Sequence, residues 1–303
     1  MIHARLLRHL DVSPPAGDRG CSHLSAASGL VRIDTTLYVV ADDELSLGVF
    51  DLAANRPGRL VRLVENELPT DPAQRKAAKP DFEALTTLPA FEGYPFGCLL
   101  ALGSGSRANR QRAVLWGLDA RGQLVGAVRE LDMAPLYEPL RHRFADLNLE
   151  GAFVAGGDLC LLQRGHRGSP VNACVRFAWQ GVERWLCGVG PVPAARSLSE
   201  IELGGLDGVP LCLTDGAALS DGSWVFCAAA EDTSDAYADG RCMGSAVGVV
   251  SAAGDLMRLE PLAVPCKAEG IALASGGPRP ELLLVTDADD RRVAAQLLSL
   301  SLP

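Results

Sequence analysis

Aromatic side chains are scarce, with 4 Trp, 4 Tyr and 8 Phe in 303 residues. A core of this size must then be built from Leu, Val and Ala, and stacking platforms for sugar rings are in short supply. A basic excess is also lacking, since the formal net charge is −9. Nucleic acid is not expected as the partner, because a phosphate backbone calls for a cationic footprint. No apolar run reaches the roughly 20 residues of a membrane-spanning helix, so no membrane partner is expected. The opening MIHARLLRHLDVSPP interleaves apolar and basic residues and lacks the continuous apolar stretch of a secretory leader.

Motifs are missing as well. The nine cysteines contain no Cys-x-x-Cys pair, which removes zinc ribbons and thioredoxin-type redox sites. Cys98, Cys160 and Cys227 sit inside apolar runs and read as small buried hydrophobes, a usage that suits a reducing cytoplasm. No dinucleotide or P-loop glycine fingerprint occurs. Gly103–Ser106 reads G-S-G-S rather than G-x-S-x-G, so a nucleophile-elbow hydrolase is not supported. His23, His142 and His166 have no metal-ligand spacing.

What the chain does have is an internal repeat. An acidic residue, a small residue and an apolar strand start recur as Glu83-Ala84-Leu85, Glu150-Gly151-Ala152, Asp215-Gly216-Ala217 and Glu269-Gly270-Ile271, with Ser28-Gly29-Leu30 as a degenerate fifth copy. Each is followed by a tight polar turn and a second, more apolar strand: TTLYVVADDE, GCLLALGSGS, DLCLLQRGHRG, SWVFCAAAED and ELLLVTDADD. A third strand follows in every unit and a fourth in the first four. Short, evenly spaced strands with glycine-rich turns predict an all-β fold, a single β-propeller of five four-stranded antiparallel blades spanning residues 1–303. The last unit runs out of chain after its third strand, and IHARLLRHL at the N-terminus is expected to supply the fourth and close the ring. Short helices are expected over Asp71–Ala78 and Ala134–Phe144, and Trp116, Trp179 and Trp224 are expected on strands. The Pro- and Gly-rich stretch Val182–Leu211 leaves a sixth blade as the alternative.

In a propeller the residue opening each innermost strand lies near the axis at one mouth. Glu83, Glu150, Asp215 and Glu269 are therefore expected to converge, with Ser28 as the fifth member. Converging carboxylates raise one another's pKa unless compensated. Calcium is the expected compensating cation, with magnesium or manganese as substitutes; backbone capping between blades is the competing role for the same carboxylates. The outer loops of that mouth add acids (Asp42, Asp43, Glu44, Glu231, Asp232, Asp235, Asp287, Asp289, Asp290) and bases. Lys79, Arg107, Arg164, His166, Arg167 and Lys267 are expected to bind a small anionic substrate, since arginine's planar fork matches phosphate.

The segments LNLEGAFVAGGDLCLLQRGHRG (147–168), LTDGAALSDGSWVFCAAAEDT (213–233) and CKAEGIAL…LLLVTDADD (266–290) resemble bacterial β-propellers labelled esterase-like or phytase-like, similar to the SdiA-regulated propeller proteins. The resemblance implies calcium at acidic propeller sites and a phosphate or ester substrate. It lands on Glu150, Asp215, Glu269 and Asp287. The first expectation is thus a metal-dependent hydrolase of a phosphorylated or ester substrate, with Glu83, Glu150, Asp215 and Glu269 as ligands or general base. A non-catalytic propeller binding a ligand or partner at the same mouth is the alternative, and a glycosidase-like carboxylate pair is the third.

Overall fold

The computed structural model describes residues 1–16, 20–234, 240–275 and 280–302. Five antiparallel sheets are arranged as the blades of a propeller. The innermost strands are Ala27–Ile33, Phe82–Leu88, Leu149–Ala155, Val209–Ala218 and Lys267–Ser275, and each is followed in its sheet by the next strands in chain order. Blade 5 is completed by the N-terminal strand Arg5–His9, which pairs antiparallel with Gln296–Ser301. The ring is therefore closed by hydrogen bonds between the two ends of the chain, as the missing fourth strand of the last repeat predicts.

The apolar runs of the second strands follow from this arrangement. In a blade sandwiched between two others, both faces of a strand are buried, so alternation gives way to continuous hydrophobicity. In Thr36–Ala41, Leu37, Val39 and Ala41 pack into the core shared with blade 5, while Tyr38 and Val40 pack into the core shared with blade 2. The second strand of blade 5 divides likewise: Leu283 and Val285 face blade 1, Leu282 and Leu284 face blade 4. Five such cores, one between each pair of neighbouring blades, complete the circuit.

The helix expected before the second repeat is present as α1, Pro72–Ala78, capped by Asp71, whose Oδ1 accepts from Gln74 N at 3.0 Å. The one expected before the third is α2, Ala134–Arg141. The stretch Val182–Leu211 holds no sixth blade. It contains most of a helix, α3 (Trp179–Leu186), then a loop, then the outer strand of blade 3, Ser197–Glu200, and the short strand Gly205–Leu206 added to blade 4. Trp179 opens that helix rather than lying on a strand, because its side chain leaves the sheet to pack edge-on against Phe91. Among the described residues, no helix is long and apolar enough to cross a membrane.

At the axis the inner strands approach backbone to backbone. A Cβ on Gly270 would stand 2.3 Å from the Ser28 carbonyl oxygen of blade 1, and one on Gly151 would stand 2.8 Å from the Asp215 Cα of blade 4. The glycine of the repeat is thus a steric requirement of ring closure in blades 1, 3 and 5. Gly270→Ala is expected to destabilise the protein by about 1–3 kcal/mol or more, the range for overpacking a tight interior. Chemical denaturation of the two proteins measures this, and an unchanged midpoint would contradict the close approach.

Candidate functional site

Each inner strand carries a β-bulge where it nears the mouth. The pairing register skips Glu83 between Phe82 and Ala84, Glu150 between Leu149 and Gly151, Glu269 between Ala268 and Gly270, and Ser28-Gly29 between Ala27 and Leu30. A bulge leaves one residue outside the ladder and re-aims its side chain. Three of the four expected carboxylates, with Ser28, accordingly line one cavity of about 430 Å³ at the channel mouth.

Asp215 is the exception. In blade 4 the skipped residue is Thr214, between Leu213 and Asp215. Thr214 occupies the bulge and donates its hydroxyl to the Ala268 carbonyl at 2.8 Å. Asp215 falls one place later, where blade 3 has Gly151, and is fully buried beneath the mouth. Its Oδ2 accepts from Ile271 N at 3.0 Å and its Oδ1 from Gly216 N at 2.8 Å, with a further backbone bond from Leu30. Burial pushes its pKa well above the usual carboxylate range, against these three donors. Asp215 is therefore a tie between blades 4, 5 and 1, the capping role that competed with metal binding, and the repeat read from the sequence is out of register there by one.

A second tier lies two residues before each bulge, on the same strand face: Ala26, Asp81, Asn148, Cys212 and Lys267 all line the cavity. Of these the sequence reading picked out only Lys267. Asp81 and Asn148 are the functional side chains it missed, and the period-two step back from each bulged residue is the signal that finds them. Asp81 has a left-handed backbone, φ 59°, in the region that Asp tolerates better than most residues.

Among the described residues, the cavity is lined by ten carboxylates and seven Lys or Arg side chains. The buried cations are already engaged. Arg164 donates to Glu231 Oε2 at 2.6 Å and Glu150 Oε2 at 3.2 Å, and its Nη1 lies 3.5 Å from Glu269 Oε1. Lys267 reaches Asp289 at 2.9 Å, Glu269 at 3.3 Å and Glu231 at 3.6 Å. Lys79 pairs with Asp42 and, at 2.9 Å, with Asp81, whose other oxygen takes Arg110 Nη1 and Ser104 Oγ, each at 2.6 Å. Arg75, on α1, lies 3.7 Å from Glu44.

The expected anion clamp is not assembled. Arg107 and Arg167 are exposed and do not line the cavity, and Arg167 pairs with Asp232 on the surface. Arg164, Lys79 and Lys267 are there but are bound to carboxylates. His166 lines the cavity with both nitrogens occupied: Nδ1 accepts from Gly168 N at 3.1 Å, so Nε2 carries the proton and donates to Asp146 at 3.2 Å. Asp287 lines the cavity beside Lys267, and burial pushes its pKa well up. Asp235 lies outside the described residues.

Two carboxylates stand apart. Glu83 is half-buried, lines the cavity and, among the described residues, has no hydrogen bond or ion pair. Burial, followed by the neighbouring charges of Glu150, Asp81 and Asp42, pushes its pKa well above the carboxylate range despite Lys79. Glu269 is buried at 4% exposure, and neither of its oxygens accepts a hydrogen bond. Glu150, by contrast, is held at both oxygens, by Arg164 and by Asn148 Nδ2 at 2.6 Å. Burial nonetheless lifts it to about 7, and Asp42 to about 6.

A carboxyl whose folded pKa is raised keeps its proton at a pH where the unfolded chain has lost it, so stability declines as pH rises through that interval. For Glu150 the interval runs from about 4.5 to about 7. Glu150→Gln should therefore gain on the wild type as pH rises from 5 to 8, by at most about 3 kcal/mol. Melting temperatures across that range test this, and parallel curves for the two proteins would contradict it.

No curated protein matches this sequence. Among solved structures, the chain is similar to a GH43 β-1,3-galactosidase (9% identity, 99% of this chain and 60% of that one, TM-score 0.49). It is also similar to a luciferin-regenerating enzyme (11% identity, 96% and 94%, TM-score 0.44) and to hydrazine synthase of Kuenenia stuttgartiensis (11% identity, 93% and 59%, TM-score 0.39). It thus spans about three-fifths of the length of the galactosidase and hydrazine synthase chains. Residues 23–302 match the profile of a family described as one of unknown function, DUF6929, and the chain belongs to that family.

Proposed function

We propose that the channel mouth is a hydrolytic site in which Glu83 transfers the proton. The observation that carries this reading is the placement of Glu83: open to the cavity, without a partner, and flanked by carboxylates that favour its protonated form. A carboxyl whose surroundings favour its protonated form can protonate a leaving group, and a second carboxyl titrating near 7 can take a proton from water. Glu150 suits the second role, because Asn148 and Arg164 fix its orientation. Arg164 and Lys267 then serve to hold the remaining carboxylates in place and to limit the negative potential of the mouth, rather than to clamp a phosphate.

Glu83→Gln keeps the shape and removes the acid. It should lower kcat/KM by about 100-fold or more on whichever chromogenic ester, glycoside or phosphate the wild type cleaves, with little change in melting temperature. Undiminished turnover by the variant would sink the assignment. A wild type inert toward all three classes would favour the alternative, a non-catalytic propeller that binds its ligand at this mouth.

A second reading places a divalent cation, calcium first, at Asp42, Asp81 and Glu83, whose carboxylate oxygens lie within 4.8 Å of one another. All-oxygen donors suit such an ion. As arranged, though, the set does not fit a resident dication, because the Lys79 ammonium already sits on Asp42 and Asp81 and Arg110 on Asp81. Calcium should therefore leave the melting temperature of the wild type unchanged and raise that of Lys79→Met. A calcium-dependent rise in the wild type, abolished by EDTA, would instead support the metal-dependent hydrolase.

A further inference from the structure

Resting on the reading of the mouth as a ligand-binding hydrolytic site, we infer that its substrate carries a protonated amine, and that Glu269 is the residue that recognises it. The cavity's unmet demand is for donors. Glu269 is 4% exposed and lines the cavity, and both its carboxylate oxygens are shielded from water without accepting a hydrogen bond. Arg164 and Lys267 stand 3.5 and 3.3 Å from Oε1 and neutralise its charge, but neither is aligned to donate to it. A buried carboxylate oxygen left without a donor is costly, and an ordered arrangement of this kind is satisfied when a ligand brings the donor.

The charge balance says which donor. Among the described residues, lining carboxylates outnumber lining Lys and Arg by ten to seven. The buried cations Arg75, Lys79, Arg110, Arg164 and Lys267 each already lie on a carboxylate. An anionic substrate seated among the buried cations would have to break one of those pairs, Arg291 being exposed at the cavity's edge, whereas an ammonium group donates up to three hydrogen bonds, charge-assisted by Glu269. A neutral polyol offers donors without the charge. The volume of about 430 Å³ accommodates a ligand of monosaccharide size.

Three ligands of nearly equal shape separate these cases: D-glucosamine, D-glucose and D-glucose 6-phosphate, titrated by thermal shift and calorimetry at neutral pH and low salt. Glucosamine is expected to bind and the phosphate is not. Glu269→Gln is expected to weaken glucosamine about ten- to hundred-fold, the size of one charge-assisted hydrogen bond, while its melting temperature without ligand stays level or rises. Tighter binding of the phosphate, equal binding of glucose, silence toward all three, or a Glu269→Gln variant that binds glucosamine as well as the wild type would each overturn the proposal. Binding is read here without turnover. Failure of the ligand assignment thus leaves the role of Glu83 standing, and loss of the Glu83 role leaves the ligand titration intact.

Discussion

The approach of five inner strands to a common axis is the constraint on which the rest of this molecule depends. At Gly29, Gly151 and Gly270, where the strands of blades 1, 3 and 5 converge on their neighbours, there is no room for a side chain, as the 2.3 Å that would separate a Cβ on Gly270 from the Ser28 carbonyl shows. Each strand responds with a bulge, and in blades 2, 3 and 5 the bulge turns the glutamate before the small residue out of the ladder and toward the mouth. The acid and the glycine of the repeat are therefore two consequences of one geometric event. The interblade cores depend on the same convergence, since it brings both faces of every second strand against a neighbour.

Aiming glutamates at a narrow mouth creates an electrostatic problem, and the chain answers it from within. Lys79, Arg110, Arg164 and Lys267 come from residues next to the bulges or from the ends of the adjoining strands, so the elements that deliver the acids also deliver their counter-ions. The compensation is uneven. Asp81 is saturated by two cations and a hydroxyl, Glu150 has a partner at each oxygen, and Glu83 and Glu269 are left short. The two that are left short can meet a substrate directly, whereas Glu150 is oriented for its role by the partners at its two oxygens.

Blade number, ring closure and two of the helices were legible in the sequence, because each has a local signature. Continuous apolar second strands, polar turns and a last repeat short of one strand are visible without coordinates. Asp71-Pro72 announces a helix start by cap chemistry alone. The one-residue slip in blade 4 was not legible. Thr214-Asp215-Gly216 matches the acid-small pattern better out of register than in it, and only the pairing of Leu213 with Ala228 and Asp215 with Cys227 reveals that Thr214 is the bulged residue. The state of the cations was likewise hidden. Arg107, Arg164 and Arg167 look alike in sequence, yet one is buried among three carboxylates and the other two are exposed outside the cavity.

The order of residues around the axis explains why Glu83 becomes the proton carrier. Reading the blades in turn, the bulges hold Ser28, Glu83, Glu150, Thr214 and Glu269. Hydroxyl residues flank Glu269 on both sides, whereas Glu83 and Glu150 are neighbours. Two adjacent buried carboxyls cannot both ionise cheaply, and the one with the better partners keeps the charge. Arg164 and Asn148 settle that contest in favour of Glu150. Glu83, left with Asp81 and Asp42 beyond it and no donor of its own, retains the proton. Had Ser28 been a glutamate, as a perfect repeat would require, Glu83 would have acidic neighbours on both sides, and their mutual repulsion would disfavour the charged form of each further. The degenerate fifth copy is thus part of the charge balance that lets three glutamates share one opening.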